Sequence, residues 1–175
     1  MTNWSARASI SARLKGSSSN RYPLPWLRSM QDVDLLVHPA QARAAVEAAE
    51  ACGYVYRRYA SVHHVLSDAR ELYDLELHER LLSDWSRHVE VNDRVWDAAK
   101  PIAPGRFRRA LPPDQQYLYH IVHADKHISR GEAVPIRTLV DLYLMDRAYG
   151  GELGKADAEL AALGLKTFAD DLAAI

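Results

Sequence analysis

Four short segments in the first half of the chain have the hydrophobic pattern of β-strands. Polar and apolar residues alternate loosely over 9–15, which predicts a short strand. Residues 32–37 form a compact apolar run with two carboxylates at its beginning, as expected for a buried strand. Two further strand candidates, 61–66 and 72–78, are separated by a polar turn. The pattern therefore predicts a small sheet.

Helical periodicity begins after the second strand candidate. Pro39 suits the first turn of an alanine-rich helix, and Gly53 suits its end. Residues 112–128 and 135–149 have apolar positions at helical spacing and predict two longer helices, and 153–175 predicts one or two short ones.

The character of the sequence changes after about residue 85. Strand and helix patterns are mixed before that point, and helical patterns dominate after it. We therefore expect a sheet-containing unit over 8–84 and a helical unit over 88–175.

Composition excludes several classes of protein. The 175 residues are 48% hydrophobic and 26% charged, as in an ordinary soluble globular protein. No apolar run approaches the roughly 20 residues that a transmembrane helix needs. The single cysteine, Cys52, excludes an intramolecular disulfide framework and a thiolate zinc cluster. It suits a reducing compartment, and we expect a cytoplasmic protein without a membrane partner.

Charge is nearly balanced overall but unevenly distributed. A formal net charge of −1 argues against a dedicated nucleic-acid-binding protein. Residues 1–31 contain arginine and lysine but no acidic residue, and the first carboxylates are Asp32 and Asp34. The basic segment has the composition of a transit peptide or of a flexible arm. It could equally form a positive surface beside a negative cluster, as metal-bound polyphosphate would require.

The carboxylates of the second strand candidate suggest metal binding. Asp32 and Asp34 are two residues apart in an extended segment, so both side chains lie on one face. Two adjacent carboxylates repel each other unless a cation lies between them, and Mg²⁺ prefers such oxygen ligands together with substrate phosphates. Asp74 and Glu76 have the same spacing, and either could supply a third carboxylate.

A glycine turn upstream suggests phosphate binding. Lys15, Gly16 and Ser17 lie between a strand candidate and a predicted helix start. A glycine lets a phosphate approach the backbone, where free N–H groups and a hydroxyl can hold an anion. Arg28 could assist in binding the triphosphate, pair with Asp32 or lie in solvent.

These features occur in a characteristic order. The residues concerned are Lys15-Gly16-Ser17, Tyr22-Pro23, Pro25, Arg28 and Asp32-Val33-Asp34-Leu35-Leu36-Val37. In this order the sequence resembles the family of uncharacterised nucleotidyltransferases within the DNA polymerase β-like superfamily. The resemblance covers roughly residues 10–145 and is most specific between 14 and 37.

The resemblance implies an α+β fold, a small mixed β-sheet core with helices followed by a C-terminal helical unit. It implies that the turn at Lys15, Gly16 and Ser17 grips a nucleoside triphosphate. It also implies that Asp32 and Asp34 bind Mg²⁺, in a site that can hold two metal ions. Glu76 would be the third carboxylate, contacting a second metal ion or activating the acceptor.

The function implied is Mg²⁺-dependent transfer of an NMP from an NTP to a hydroxyl acceptor, a small molecule or a protein. The alternative is a catalytically inactive relative that binds or regulates a partner, for instance in a toxin–antitoxin pair. Retention of Asp32, Asp34 and Glu76 favours an active enzyme. The transit-peptide interpretation becomes weaker, because cleavage would remove the Lys15–Ser17 turn.

Three histidines raise a separate hypothesis. His120, His123 and His127 fall on one face of a predicted helix. They could bind a transition metal, with Asp141 joining from the next helix. They could also contact nucleotide or acceptor, or simply pack between helices.

Overall fold

The computed structural model describes residues 21–28, 32–104 and 108–175, and the backbone of 11–13. The described residues divide into two compact units. The first holds 11–13, 32–85, 89–104 and 108–110, and the second holds 21–28, 86–88 and 111–175. The domain limits expected from the sequence, 8–84 and 88–175, stay a prediction.

A mixed sheet forms the first unit. Its strands are β1 (Ser11–Arg13), β2 (Asp32–Val37), β3 (Val55–Ala60), β4 (His63–Ser67), β5 (Asp74–His78), β6 (Lys100–Pro101) and β7 (Arg108–Ala110). Their order across the sheet is β3-β4-β5-β2-β1-β7-β6. The pairs β2–β5 and β1–β7 are parallel, whereas the other neighbours are antiparallel. The predicted small mixed sheet and the α+β fold class are confirmed.

One face of this sheet packs against helix α1 (Ala42–Ala51), which follows a 3-10 turn at Pro39–Gln41. The helix buries alanines, whose small side chains bring its backbone close to the strands. The core residues are Val37, Ala42, Ala45, Ala49, Leu66, Leu75 and Leu77. Since side chains alternate along β5, burying Leu75 and Leu77 against the helix turns Glu76 and His78 to the opposite face.

The sequence pattern missed several elements of the first unit. Strand β3 lies at the sheet edge and is mostly exposed, so its polar sequence lacks the alternation of a half-buried strand. Helix α2 (Val91–Ala98) and the short strands β6 and β7 were not predicted either. The predicted strands 61–66 and 72–78 begin two residues later, as β4 and β5.

The second unit is helical. It contains α3 (Pro113–Ser129), α4 (Ile136–Tyr149), a 3-10 segment (Gly150–Ala156), α5 (Asp157–Ala162) and α6 (Lys166–Ala173). The two long helices match the predicted limits to within one residue at each end. Its core includes the fully buried Ile121, Met145 and Leu160. Among the described helices, none is both long and apolar enough to cross a membrane.

Candidate active site

Three predicted carboxylates meet on the sheet face opposite α1. Strands β2 and β5 run parallel with Asp34 paired to Glu76, and Asp32 lies two residues before Asp34 on the same face. Carboxylate oxygens of all three residues lie within 4.8 Å of one another. Asp34 is fully buried, whereas Asp32 and Glu76 are partly exposed. The cluster is therefore anchored in the interior and open to solvent on one side.

The structure distinguishes the two candidates for the third carboxylate. Asp74 pairs with Asp32 in the β2–β5 register, but its Oδ1 accepts a hydrogen bond of 2.7 Å from the Ser67 hydroxyl of β4. Glu76 is the residue whose carboxylate lies within 4.8 Å of those of Asp32 and Asp34. Spacing along one strand cannot separate Asp74 from Glu76, because both side chains lie on the same face.

A histidine lies between two of these carboxylates. Nε2 of His78 is 2.8 Å from Oδ1 of Asp34 and 3.1 Å from Oε2 of Glu76. Ionised carboxylates only accept hydrogen bonds, so this nitrogen is the donor. Burial acts to lower the pKa of His78, but the hydrogen bonds and negative charges of Asp34 and Glu76 outweigh it and raise the pKa. His78 therefore holds both carboxylates in place.

A second histidine reaches the same cluster from β4. His63 is directly opposite His78 in the antiparallel β4–β5 register, and their rings stack with centroids 4.6 Å apart. Nε2 of His63 lies 3.6 Å from Oε1 of Glu76. Neither His63 nor His78 was among the candidate residues that the sequence provided. The two-residue spacing of His78 from Glu76 could have indicated His78 from the sequence. No sequence spacing indicates His63, because it lies near Glu76 only through the pairing of β4 with β5.

Of the predicted phosphate-binding residues, the structure describes only Arg28. Lys15, Gly16 and Ser17 lie outside the described residues. Arg28 is buried in the second unit, where its Nε donates to both oxygens of Asp141 at 3.1 Å and its Nη2 donates to Oδ2 at 2.8 Å. No sequence alternative named Asp141 as the partner of Arg28, and a contact of Arg28 with nucleotide stays a prediction.

Tyr22 completes this buried ion pair. Its hydroxyl donates a hydrogen bond of 2.9 Å to Oδ1 of Asp141. Burial, followed by the negative charge of Asp141, raises the pKa of the Tyr22 hydroxyl to about 12. Arg28, Tyr22 and Asp141 therefore link residues 21–28 to α4 within the second unit.

Within the part of the chain that the structure describes, the helical histidines do not join a group of three potential metal ligands. His120 is buried on α3, His123 and His127 have ring centroids 4.7 Å apart, and Nδ1 of His127 lies 2.6 Å from Oε2 of Glu132. Among the described residues, both groups of three potential metal ligands lie on the sheet and neither includes an α3 histidine. Contact of these histidines with a nucleotide or an acceptor stays a prediction.

The donor set of the carboxylate cluster suits a hard divalent cation. Three adjacent carboxylates supply only oxygen ligands, which Mg²⁺ prefers over nitrogen or sulfur. Their mutual repulsion falls when a cation lies among them. Asp32, Asp34 and Glu76 therefore fit Mg²⁺ by chemistry as well as by proximity.

Comparisons with known proteins show a family and a fold that this chain shares. A family model described as "uncharacterised nucleotidyltransferase" matches residues 12–174. No curated protein matches the chain significantly. Two similar solved structures are a crystal structure of ANT(2")-Ia in complex with adenylyl-2"-tobramycin and a solution structure of the antibiotic-resistance factor ANT(2")-Ia.

Both structural likenesses extend over nearly the whole of each chain. The crystal structure has a TM-score of 0.63 at 14% identity, covering 91% of this chain and 90% of that one. The solution structure has a TM-score of 0.59 at 13% identity, covering 92% and 89%. At such low identity the likeness shows a shared fold.

Proposed function

Because the chain belongs to the family of uncharacterised nucleotidyltransferases, we propose that it transfers an NMP from an NTP to a hydroxyl acceptor in a Mg²⁺-dependent reaction. The observation that carries this proposal is the meeting of Asp32, Asp34 and Glu76 on one sheet face. Nucleotidyl transfer needs mainly positioning of the substrates and neutralisation of charge, and these residues are suited to both.

The three carboxylates have different surroundings and hence different proposed roles. Asp34 is fully buried and hydrogen-bonded to His78, so its position is fixed before substrate arrives. Asp32 and Glu76 are partly exposed and can meet a ligand entering from solvent. Bound by these residues, Mg²⁺ would neutralise triphosphate charge and stabilise the attacking and leaving oxygens.

The chemical step is an in-line displacement at the α-phosphorus. The acceptor oxygen forms a bond to phosphorus while the bond from that phosphorus to the leaving oxygen breaks and pyrophosphate departs. The acceptor hydroxyl must lose its proton, and we assign Glu76 as the base because it is the partly exposed carboxylate of β5 that lies beside Asp32 and Asp34. The predicted contacts of Lys15, Gly16, Ser17 and Arg28 with the triphosphate remain part of this proposal.

The acceptor class is supported by fold likeness. In the similar crystal structure, ANT(2")-Ia is bound to adenylyl-2"-tobramycin, a tobramycin that carries an adenylyl group. We propose that this chain likewise acts on a hydroxyl of a small molecule, and tobramycin is a useful first probe. A protein hydroxyl is the second acceptor to test.

The test combines transfer of radiolabelled NMP with carboxylate variants. Purified chain is incubated with each α-labelled NTP, Mg²⁺ and a panel of polyhydroxylated small molecules or cell protein. Asp34→Asn and Glu76→Gln should each lower transfer by at least about a hundredfold. Asp74→Asn is the matched control, because it removes a carboxylate of the same strand and face that is bonded to Ser67. Full activity in Asp34→Asn would refute the proposed site.

The alternative function is a catalytically inactive binding or regulatory module. Calorimetric titration with each NTP in the presence and absence of Mg²⁺ separates the two. Absence of Mg²⁺-dependent binding of any NTP would favour the alternative. The intact carboxylate cluster favours the enzyme.

A further inference from the structure

We propose that His63, His78 and Glu76 form a binding site for a transition-metal ion of the Zn²⁺ type, which differs from the proposed Mg²⁺ site by its two histidine ligands. The two sites share Glu76, but the second does not depend on nucleotidyl transfer. It is supported by the chemistry of its donors, the spacing of their atoms and the rigidity of the strands that carry them.

The donor chemistry differs from that of the neighbouring carboxylates. Two imidazoles and one carboxylate form a ligand set that Zn²⁺ and Fe²⁺ bind in proteins, whereas Mg²⁺ favours oxygen. Potential ligand atoms of His63, Glu76 and His78 all lie within 4.8 Å of one another. The sheet face thus offers a hard oxygen site and a softer nitrogen-containing site side by side.

The distances between the imidazole nitrogens and the Glu76 oxygens are close to those between neighbouring ligand atoms around a bound ion. Ligand atoms about 2.0–2.1 Å from a tetrahedral Zn²⁺ are separated from each other by about 3.4 Å. Nε2 of His78 lies 3.1 Å from one oxygen of Glu76, and Nε2 of His63 lies 3.6 Å from the other. Each imidazole nitrogen therefore approaches one oxygen of the Glu76 carboxylate at a separation within about 0.3 Å of that value.

The backbone fixes these side chains before an ion arrives. His63 and His78 are direct partners in the β4–β5 ladder, and Glu76 is two residues from His78 on the same face. The imidazole rings stack with an angle of 30° between their planes, which aligns them. An ion bound to Nε2 of His78 replaces the proton that this nitrogen shares with Asp34 and Glu76.

Titration with Co²⁺ tests the proposal, because the visible d–d absorption of bound Co²⁺ reports nitrogen ligation and low coordination number. The full chain is stripped with a chelator, and Co²⁺ is added with excess Mg²⁺ present. We expect saturable binding that Zn²⁺ competes away. His63→Gln should weaken Co²⁺ binding by at least about tenfold.

His64→Gln is the matched control. His64 is the next residue on β4 and points to the other face, and its side chain is 18% exposed against 20% for His63. Its Nε2 lies 2.9 Å from Oε1 of Glu79, away from the proposed ligands. Binding of Co²⁺ should be retained in His64→Gln and in Asp32→Asn.

Unchanged binding in His63→Gln would overturn the proposal, as would loss of binding in Asp32→Asn alone, which would place the ion among the carboxylates. X-ray absorption of the Zn²⁺-loaded wild-type chain provides a readout that needs no variant. Scattering from two imidazoles supports the site, and an all-oxygen shell refutes it. Transfer activity with Mg²⁺ is measured separately, so failure of either proposal is recognised independently.

Discussion

Removal of the Asp141 carboxylate should destabilise the protein strongly. Asp141 and Arg28 are 1% and 7% exposed, and three donor–acceptor contacts of 2.8–3.1 Å join them. In Asp141→Ala the buried guanidinium loses the carboxylate that accepts these three contacts, and Tyr22 loses its acceptor. Breaking one side of a buried ion pair costs about 3–5 kcal/mol.

That cost is large enough to measure by thermal and denaturant unfolding. For a chain of this size, about 3–5 kcal/mol corresponds to a fall in Tm of roughly 6–20 °C. The control is Glu47→Ala, which breaks the exposed Arg43–Glu47 pair on α1. Exposed pairs of this kind contribute about 0.5 kcal/mol or less, so that variant should unfold almost as the wild type does.

A double variant tests whether the remaining buried charge causes the loss of stability. Replacing both partners by apolar residues, Arg28→Met with Asp141→Leu, removes both buried charges and should recover much of the lost stability. A cost of less than about 1 kcal/mol for Asp141→Ala, or a double variant that is less stable than Asp141→Ala, would contradict this explanation.

Three other changes give independent predictions. Leu66→Ala, at a fully buried core position against α1, should cost about 2–5 kcal/mol in the free energy of unfolding measured by urea titration. Gly53→Ala should lower Tm by a few degrees, since φ is +93° there and a Cβ in this region costs about 1 kcal/mol although the space around it is open; an unchanged Tm would contradict the backbone explanation. The folded-state pKa of Tyr22 is raised from 10.0 to about 12, so its contribution to stability is complete below pH 10 and is lost as the pH rises towards 12. The stability difference between wild type and Tyr22→Phe should therefore shrink over that range, and a constant difference would show that the phenol does not act through its protonated form.

Local periodicity explains which parts of the structure were predictable. The two long helices were placed to within one residue at each end because their apolar positions recur at helical spacing over more than three turns. Strand β2 was placed correctly because a compact apolar run follows its carboxylates. Strand β3 was missed because an exposed edge strand needs no apolar face, and its only signature is its pairing with β4.

The candidate site likewise combines features that are local in the sequence with features that depend on long-range packing. The sequence by itself determined that Asp32 and Asp34 share a face, since the two-residue period of a strand is a local property of the backbone. The family resemblance already implied Glu76, but the strand pattern left Asp74 equally possible. Only the tertiary structure shows that Glu76 lies with Asp32 and Asp34 while Asp74 bonds to Ser67, because this depends on how β2, β4 and β5 pair. It also brought His63 opposite His78, and Arg28 against an aspartate 113 residues away. Strand register and long-range ion pairs are decided by packing of the whole chain, and no local pattern encodes them.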